Sequence, residues 1–301
     1  MSFVVATEKL TKKYGDHPVV QDLDLRIPEG AVYGFLGPNG SGKSTTMKML
    51  LNLIRPSSGH VEVLGKPMNR GTRRELLGKI GSLIESPPGY AHLTGRENMK
   101  IVARLLGLTD QHVDHAVRTV RMERHMDKKV REFSLGMKQR LGIAMALARR
   151  PELLILDEPT NGLDPAGIEE IRGLLRRLAD GGVTVMVSSH LLGEIDKTAT
   201  MLGILSEGRM IFQGSRDQLF SAARPDVLIE CAEPRHAHSL LAREYGTRLD
   251  NAVVRVPGVD DRTTAGIVAG LVRERIGVYG VRRDEQSLED VFMTLTAGGS
   301  L

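Results

Sequence analysis

A short glycine-rich run leaves this chain little choice of fold. Gly37-Pro38-Asn39-Gly40-Ser41-Gly42-Lys43-Ser44 fills every position of the phosphate-loop pattern G-x-x-x-x-G-K-[S/T]. The apolar stretch Ala31-Val32-Tyr33-Gly34-Phe35-Leu36 before it reads as a strand, and a helix is predicted after it from Lys43 to Leu53. That setting turns backbone N–H groups inward around phosphate oxygens, with the helix N-terminus adding partial positive charge. Lys43 then reaches the β- and γ-phosphates of a nucleotide, and Ser44 offers a hydroxyl to Mg2+. Thr45, the next helical residue, is grouped with them.

A second run supplies the complementary chemistry. Leu153-Leu154-Ile155-Leu156 is continuously apolar, as in strands buried within parallel sheets, and it ends in Asp157-Glu158. Ligands of open α/β sheets bind at the carboxyl ends of strands. Successive side chains alternate across a strand, so the two acids take different tasks. Asp157 is expected to hold Mg2+, directly or through water. Glu158 is expected to act as general base toward the attacking water.

Around these runs the chain reads as two parts. Strands are predicted over residues 3 to 10 and 19 to 27, joined by a turn at Tyr14-Gly15-Asp16. From about 87 to 150 the pattern is helical, with amphipathic runs at Asn98 to Leu106, Asp114 to Glu123 and Gly136 to Arg150. Arg149-Arg150-Pro151 supplies the stop. A helix over Ala166 to Ala179 links the acidic strand to another at Val183 to Val187. After Ser215 no phosphate-type motif recurs. Strands at Val227 to Cys231, Val253 to Val256 and Gly277 to Val281, a helix at Thr264 to Arg275, and a capping-box start at Ser287-Leu288-Glu289-Asp290 suggest a small α+β accessory domain.

Further motifs resemble those of ABC-transporter ATPases. Phe133-Ser134-Leu135-Gly136-Met137-Lys138-Gln139-Arg140 is similar to their signature, Asn161-Gly162-Leu163-Asp164 to their D-loop and Ser188-Ser189-His190 to their H-loop. Lys12-Lys13-Tyr14-Gly15 resembles their adenine-stacking loop. The resemblance covers residues 1 to about 215. It implies a P-loop (RecA-like) α/β core with an antiparallel β subdomain and a helical subdomain at about 87–150, followed by the accessory domain at 216–301. It also implies two such subunits packed head to tail, each ATP lying between one subunit's P-loop and the other's signature. In that geometry Ser134 and Gly136 meet phosphate across the interface and Asp164 belongs to the same partner face. His190 contacts the γ-phosphate and Tyr14 stacks on adenine. Leu135 and Met137 depart from the family's usual Leu-Ser-Gly-Gly-Gln.

One further departure narrows the resemblance. Where the family has a glutamine that senses Mg2+ and water, Ile80-Gly81-Ser82-Leu83-Ile84-Glu85-Ser86-Pro87 places Glu85. An ionised carboxylate adds negative charge there and can only accept hydrogen bonds. With Asn98 and the Ser-Leu-Gly-Met signature, the chain looks like the subgroup protecting Gram-positive bacteria from bacitracin and lantibiotics. The end of the chain, Ser287 to Phe292, is similar to the tail of antibiotic exporters. Glu85 is therefore expected to be both a catalytic and a Mg2+-contacting residue.

Composition bounds the alternatives. At 41% hydrophobic and 26% charged the chain can bury a core. Its net charge of +4 comes without a basic block and with few aromatics to stack bases, so nucleic acid is not an expected partner. The single cysteine, Cys231, excludes an internal disulfide, fits a reducing compartment and reads as a small core residue. No run of about 18 apolar residues occurs, and the N-terminus lacks a signal-peptide pattern. The resemblance then implies a peripheral subunit on the cytoplasmic face of the membrane, held by a separate integral permease and paired with a second ATP-binding subunit, a homodimer being expected. Another exporter substrate, such as a drug or lipid, is the alternative. A soluble ATPase acting on ribosomes would carry two ATPase units, and a chromosome or repair ATPase would carry a long heptad run; neither is present.

Overall fold

A computed structural model describes residues 2–85, 87–190, 193, 198–223, 226–284 and 291–292. The chain divides into two compact units, Met1–Ser215 and Arg216–Leu301.

The first unit opens with β1 (Phe3–Tyr14) and β2 (His17–Leu23), antiparallel around a turn where Gly15 takes φ +59°. The first strand runs past the predicted residue 10 to Tyr14, because irregular pairing near Leu10 and Lys12 is absorbed in the ladder to β2. The predicted second strand splits, leaving β3 (Arg26–Pro28) to pair with β1 separately. β4 (Val32–Leu36) is buried at every residue and leads through the glycine-rich loop into α1 (Lys43–Leu50). β5 (Ser58–Val63) and β6 (Lys66–Pro67) complete an antiparallel sheet ordered β2-β1-β5-β6, with β3 on β1. A short α2 (Arg73–Leu77) precedes β7 (Ile80–Leu83).

Helices follow: α3 (Gly95–Leu106), α4 (Asp110–Thr119) and α5 (Leu135–Leu147), with single 3-10 turns at Glu123–His125 and Val130–Glu132. α3 starts ahead of the predicted Asn98 because Thr94 and Glu97 form a reciprocal capping box. α4 stops short of Glu123, and Arg121 beyond it takes a left-handed φ of +57°. β8 (Leu153–Leu156), α6 (Pro165–Asp180), β9 (Thr184–Ser189), β10 (Met201–Ser206) and β11 (Arg209–Ser215) close the unit.

These strands form a six-stranded sheet ordered β11-β10-β4-β9-β8-β7, parallel throughout except for the terminal hairpin β10–β11. β4, β8 and β9 are wholly buried, which is why their sequences lack alternation. The ends of β4, β8 and β9 therefore converge at one edge, where the phosphate loop, Asp157-Glu158 and His190 follow them.

The second unit contains α7 (Arg216–Ala223), β12 (Val227–Cys231), α8 (Pro234–Tyr245), β13 (Arg248–Asp250), β14 (Val253–Val256), α9 (Asp261–Arg273) and β15 (Val278–Arg283). From β12 onward the order is β-α-β-β-α-β. The sheet, β13-β14-β12-β15, is antiparallel, the split arrangement of ferredoxin-like folds. Ala237 and Leu241 of α8 and Ile267 and Leu271 of α9 pack on Val227, Ile229, Val254 and Val256. α9 begins before the predicted Thr264 because Asp260 caps it, accepting the Thr263 N–H at 2.7 Å. The helix start read at Ser287 lies outside the described residues.

Candidate active site

The phosphate loop owes its shape to Gly42, which caps α1 at φ +103°. A Cβ at this position would lie 2.7 Å from the Val19 carbonyl oxygen and 3.0 Å from Val20 Cγ2, so glycine is required twice, by conformation and by space. Lys43, the first residue of α1, is only 5% exposed. Its Nζ donates to the Gly37 carbonyl at 2.8 Å and the Pro38 carbonyl at 3.2 Å, curling the loop back on its own helix. Burial pulls the Lys43 pKa down, while the charges of Glu158 and Asp157 act against that shift.

Glu158 sits between Lys43 and His190. Its Oε1 lies 3.6 Å from Lys43 Nζ, and its Oε2 hydrogen-bonds His190 Nδ1. That second contact requires the His190 proton on Nδ1. Glu158 takes a left-handed backbone, φ +50°, unusual for a residue with a side chain. Its N–H donates to Ser188 Oγ at 2.9 Å, and the Ser188 hydroxyl donates to Asp157 Oδ1 at 2.6 Å. Asp157 is 4% exposed.

Asn39, Gly40, Gly42, Lys43, Ser44, Thr45, Glu158 and His190 line one cleft of about 490 Å3, together with Val19 and Asn161. The sequence reading did not single out the last two as ligand contacts. Val19 carries no chemical signal. Asn161 lies in the D-loop-like run, where the resemblance points to Asp164. Gly37 and Pro38 enter through their carbonyls, which hold Lys43.

The remaining predicted residues lie elsewhere. Ser134 and Asp164 line a second cleft of about 530 Å3 with Leu135, Gly136, Met137 and Gly162, and the two clefts share no lining residue. Ser134 Oγ accepts the Met137 N–H at 3.3 Å and so caps α5; Asp164 Oδ1 accepts the Gly167 N–H at 3.0 Å and caps α6. Leu135, the unusual signature residue, packs over Gly162, where a Cβ would lie 2.8 Å from Leu135 Cδ2. Tyr14 ends β1, 54% exposed, with Lys12 Nζ 4.9 Å from its ring centroid, and does not line the phosphate cleft. Glu85 follows β7 with φ +70° and a 66% exposed side chain. It pairs with Lys48 Nζ, from the last turn of α1, and lies outside the lining of the phosphate cleft. The Lys48 partnership was not read from sequence.

The residues present suit a nucleoside triphosphate with Mg2+. Ser41 Oγ, inside the loop, is buried with no hydrogen-bond partner among the described residues, a donor placed for a phosphate oxygen. No group of three or more His, Cys, Asp or Glu converges among the described residues. A small hard cation at Ser44 and Asp157 would draw its other ligands from phosphate and water, as Mg2+ commonly does. No helix among the described residues is long and apolar enough to cross a membrane.

A family model described as ABC transporter matches residues 20–161. The bacitracin transport ATP-binding protein BcrA of Bacillus licheniformis is 39% identical over 308 aligned residues, covering 100% of both chains. The lantibiotic transport ATP-binding protein SrtF of Streptococcus pyogenes is 42% identical over 210 residues, 70% of this chain and 90% of that one. Among solved structures, the dimeric MJ0796, a bacterial ABC transporter cassette, matches with TM-score 0.64 at 25% identity, covering 70% of this chain and 98% of its own. A post-hydrolysis dimer of the same cassette, bound to ADP and Pi, matches with TM-score 0.64 at 26% identity over the same shares.

Proposed function

The chain belongs to the ABC transporter family as an ATP-binding, ATP-hydrolysing subunit, and from that premise we propose that it powers removal of a bacitracin- or lantibiotic-like peptide antibiotic through a separate membrane permease. Similarity to BcrA along the whole chain and to SrtF over 70% of it supports that substrate class. The family works as dimers with permease partners. For this chain we assign residues 1–215 as the ATP-binding domain, 87–150 as its helical subdomain, 216–301 as an accessory domain, and the cytoplasmic face of the membrane as its place.

The observation that carries the catalytic reading is the position of Glu158, held at once by the phosphate-loop Lys43 and by His190 in one cleft. Lys43 and the loop amides bind and orient the β- and γ-phosphates. Glu158 takes the proton of the attacking water, and His190 fixes the Glu158 carboxylate and reports on the γ-phosphate. Mg2+ on Ser44 and Asp157 would neutralise charge on the leaving phosphate. Tyr14 supports adenine, and Glu85 senses the metal side of the site.

The separation of the two clefts supports a two-chain site. A lone chain does not bring its own Ser134 and Gly136 to its phosphate loop, whereas a head-to-tail partner offers the amides at the start of its α5 to the γ-phosphate. Glu158→Gln is expected to lower turnover by about 100-fold or more, the low end of general-base contributions, while keeping MgATP bound and trapping a dimer. Phosphate release and sedimentation in ATP measure both. Normal hydrolysis by that variant removes Glu158 as the base. A multi-span membrane protein, rather than ribosomes or DNA, is expected to co-purify with the wild-type chain.

A further inference from the structure

We propose that Ser188 is the positioning residue of this ATPase: one buried hydroxyl that sets the metal-side carboxylate and the general base relative to each other. The inference rests on the reading of Asp157 and Glu158 given above and extends it to a residue on the neighbouring strand.

Ser188 lies in β9, wholly buried, and pairs across the sheet with Phe35 of β4, the strand that runs into the phosphate loop. A serine hydroxyl has one proton and two lone pairs. Here the proton goes to Asp157 Oδ1 at 2.6 Å, and a lone pair receives the Glu158 N–H at 2.9 Å. Each of the two acids is thus held by a different end of one group. The donation to Oδ1 fixes the rotation of the Asp157 carboxylate, which determines how the other oxygen faces a cation. The acceptance from the Glu158 N–H secures a left-handed backbone that a side-chain-bearing residue adopts only when its surroundings hold it there. That backbone turn carries the Glu158 side chain to Lys43 and His190. His190 itself follows β9, so the strand that orients the base also carries the histidine that grips it.

A hydroxyl with no catalytic consequence would have been as well placed with one partner. Two partners, both on the acidic strand end, make Ser188 the point through which β9 controls the spacing of metal ligand and base. Misplacing either by a fraction of an ångström is costly in a reaction that depends on alignment.

The test uses the full chain and the substitutions Ser188→Ala, Ser188→Thr and Ser188→Cys. Ser188→Ala is expected to lower kcat roughly 10- to 100-fold, the range for residues that orient metal ligands, with the KM for MgATP within about threefold because the phosphate loop is untouched. A second readout without turnover is the affinity for Mn2+ in the presence of ADP, measured by electron paramagnetic resonance, expected to fall by about 10-fold. Ser188→Thr keeps the hydroxyl on a strand position and is expected to restore both. Ser188→Cys, close in size but a weak donor, should fall between and serves if the alanine variant does not fold.

Wild-type kcat and Mn2+ affinity in folded Ser188→Ala or Ser188→Cys overturn the inference. So does equal impairment of the alanine and threonine variants, which would mark a packing role. Glu158→Gln run in parallel separates the two readings. If it is inactive while Ser188→Ala is normal, only the positioning role fails. If it is active, the base assignment fails, and the Mn2+ affinity still decides the Asp157 half.

Discussion

Gly42 and Gly40 both stand at positive φ in the phosphate loop, +103° and +82°, yet they differ in what surrounds them. Gly40 faces open space, whereas a Cβ on Gly42 would meet the Val19 carbonyl. Gly40→Ala therefore carries backbone strain alone, on the order of 1 kcal/mol, while Gly42→Ala adds a clash with backbone that cannot rotate away. We expect Gly42→Ala to abolish nucleotide binding and lower the melting temperature by several degrees, and Gly40→Ala to keep measurable binding. Equilibrium binding of a fluorescent ATP analogue to the two variants checks the order. This is also where the sequence was most informative, because the loop works through consecutive backbone groups and its residue types are fixed by local geometry. The partners of Lys48, and those of Ser188 within its H-loop-like run, are not legible for the opposite reason. A serine in a buried strand and a lysine in a helix are ordinary residues, and only the sheet pairing and the approach of β7 give them partners.

At the level of elements, α1 does two electrostatic tasks. Its first residue, Lys43, faces Glu158, and Lys48 in its last turn pairs with Glu85. The second pair is exposed at the carboxylate, so its intrinsic worth is small, but the Lys48 charge lies near enough to Asp157 to be held up by it as well as by Glu85. Lys48 thus offsets the negative charge that Glu85 adds where a glutamine is usual. Lys48→Met is expected to weaken MgATP binding by about two- to fivefold, and adding Glu85→Gln should recover most of that loss, a coupling that a double-mutant cycle on KM measures. Glu85→Ala should lower turnover, and unchanged turnover would remove Glu85 from the catalytic set. Elements are readable where a continuous apolar run marks a buried strand, as in β4 and β8, or where helical periodicity is strong, as in α6. β10 and β11 were not anticipated. β10 contains Gly203, where a Cβ would fall 2.1 Å from the Tyr33 hydroxyl, so the residue that weakens the strand pattern is there to admit a ring from β4. α3 and α9 began earlier than their apolar periodicity because polar caps, Thr94 and Asp260, extended them.

Across the whole molecule, two units each close a separate core, one around Tyr33, Phe35 and Ile155 and the other around Ile229, Val254 and Leu271. The chain has no tryptophan, but the second core contains the single thiol, Cys231, 7% exposed. Burial raises the Cys231 pKa, so the native thiol stays protonated and unreactive at neutral pH. The folded state holds this proton more tightly, so its contribution is full below the unfolded thiol's pKa and is lost as pH rises through the folded value. In the proposed reading, nucleotide binds in the first unit's phosphate-loop cleft. At 100 times its Kd, it should stabilise that unit by about 2.7 kcal/mol. If each core folds on its own account, the second unit gains nothing from this. We therefore expect ADP to raise the denaturant midpoint for hydrogen exchange in β4, β8 and β9, while the midpoint for Cys231 labelling stays fixed. A parallel rise in Cys231 protection would instead show that nucleotide occupancy is transmitted into the C-terminal unit. That unit would then count as part of the motor rather than an appendage to it.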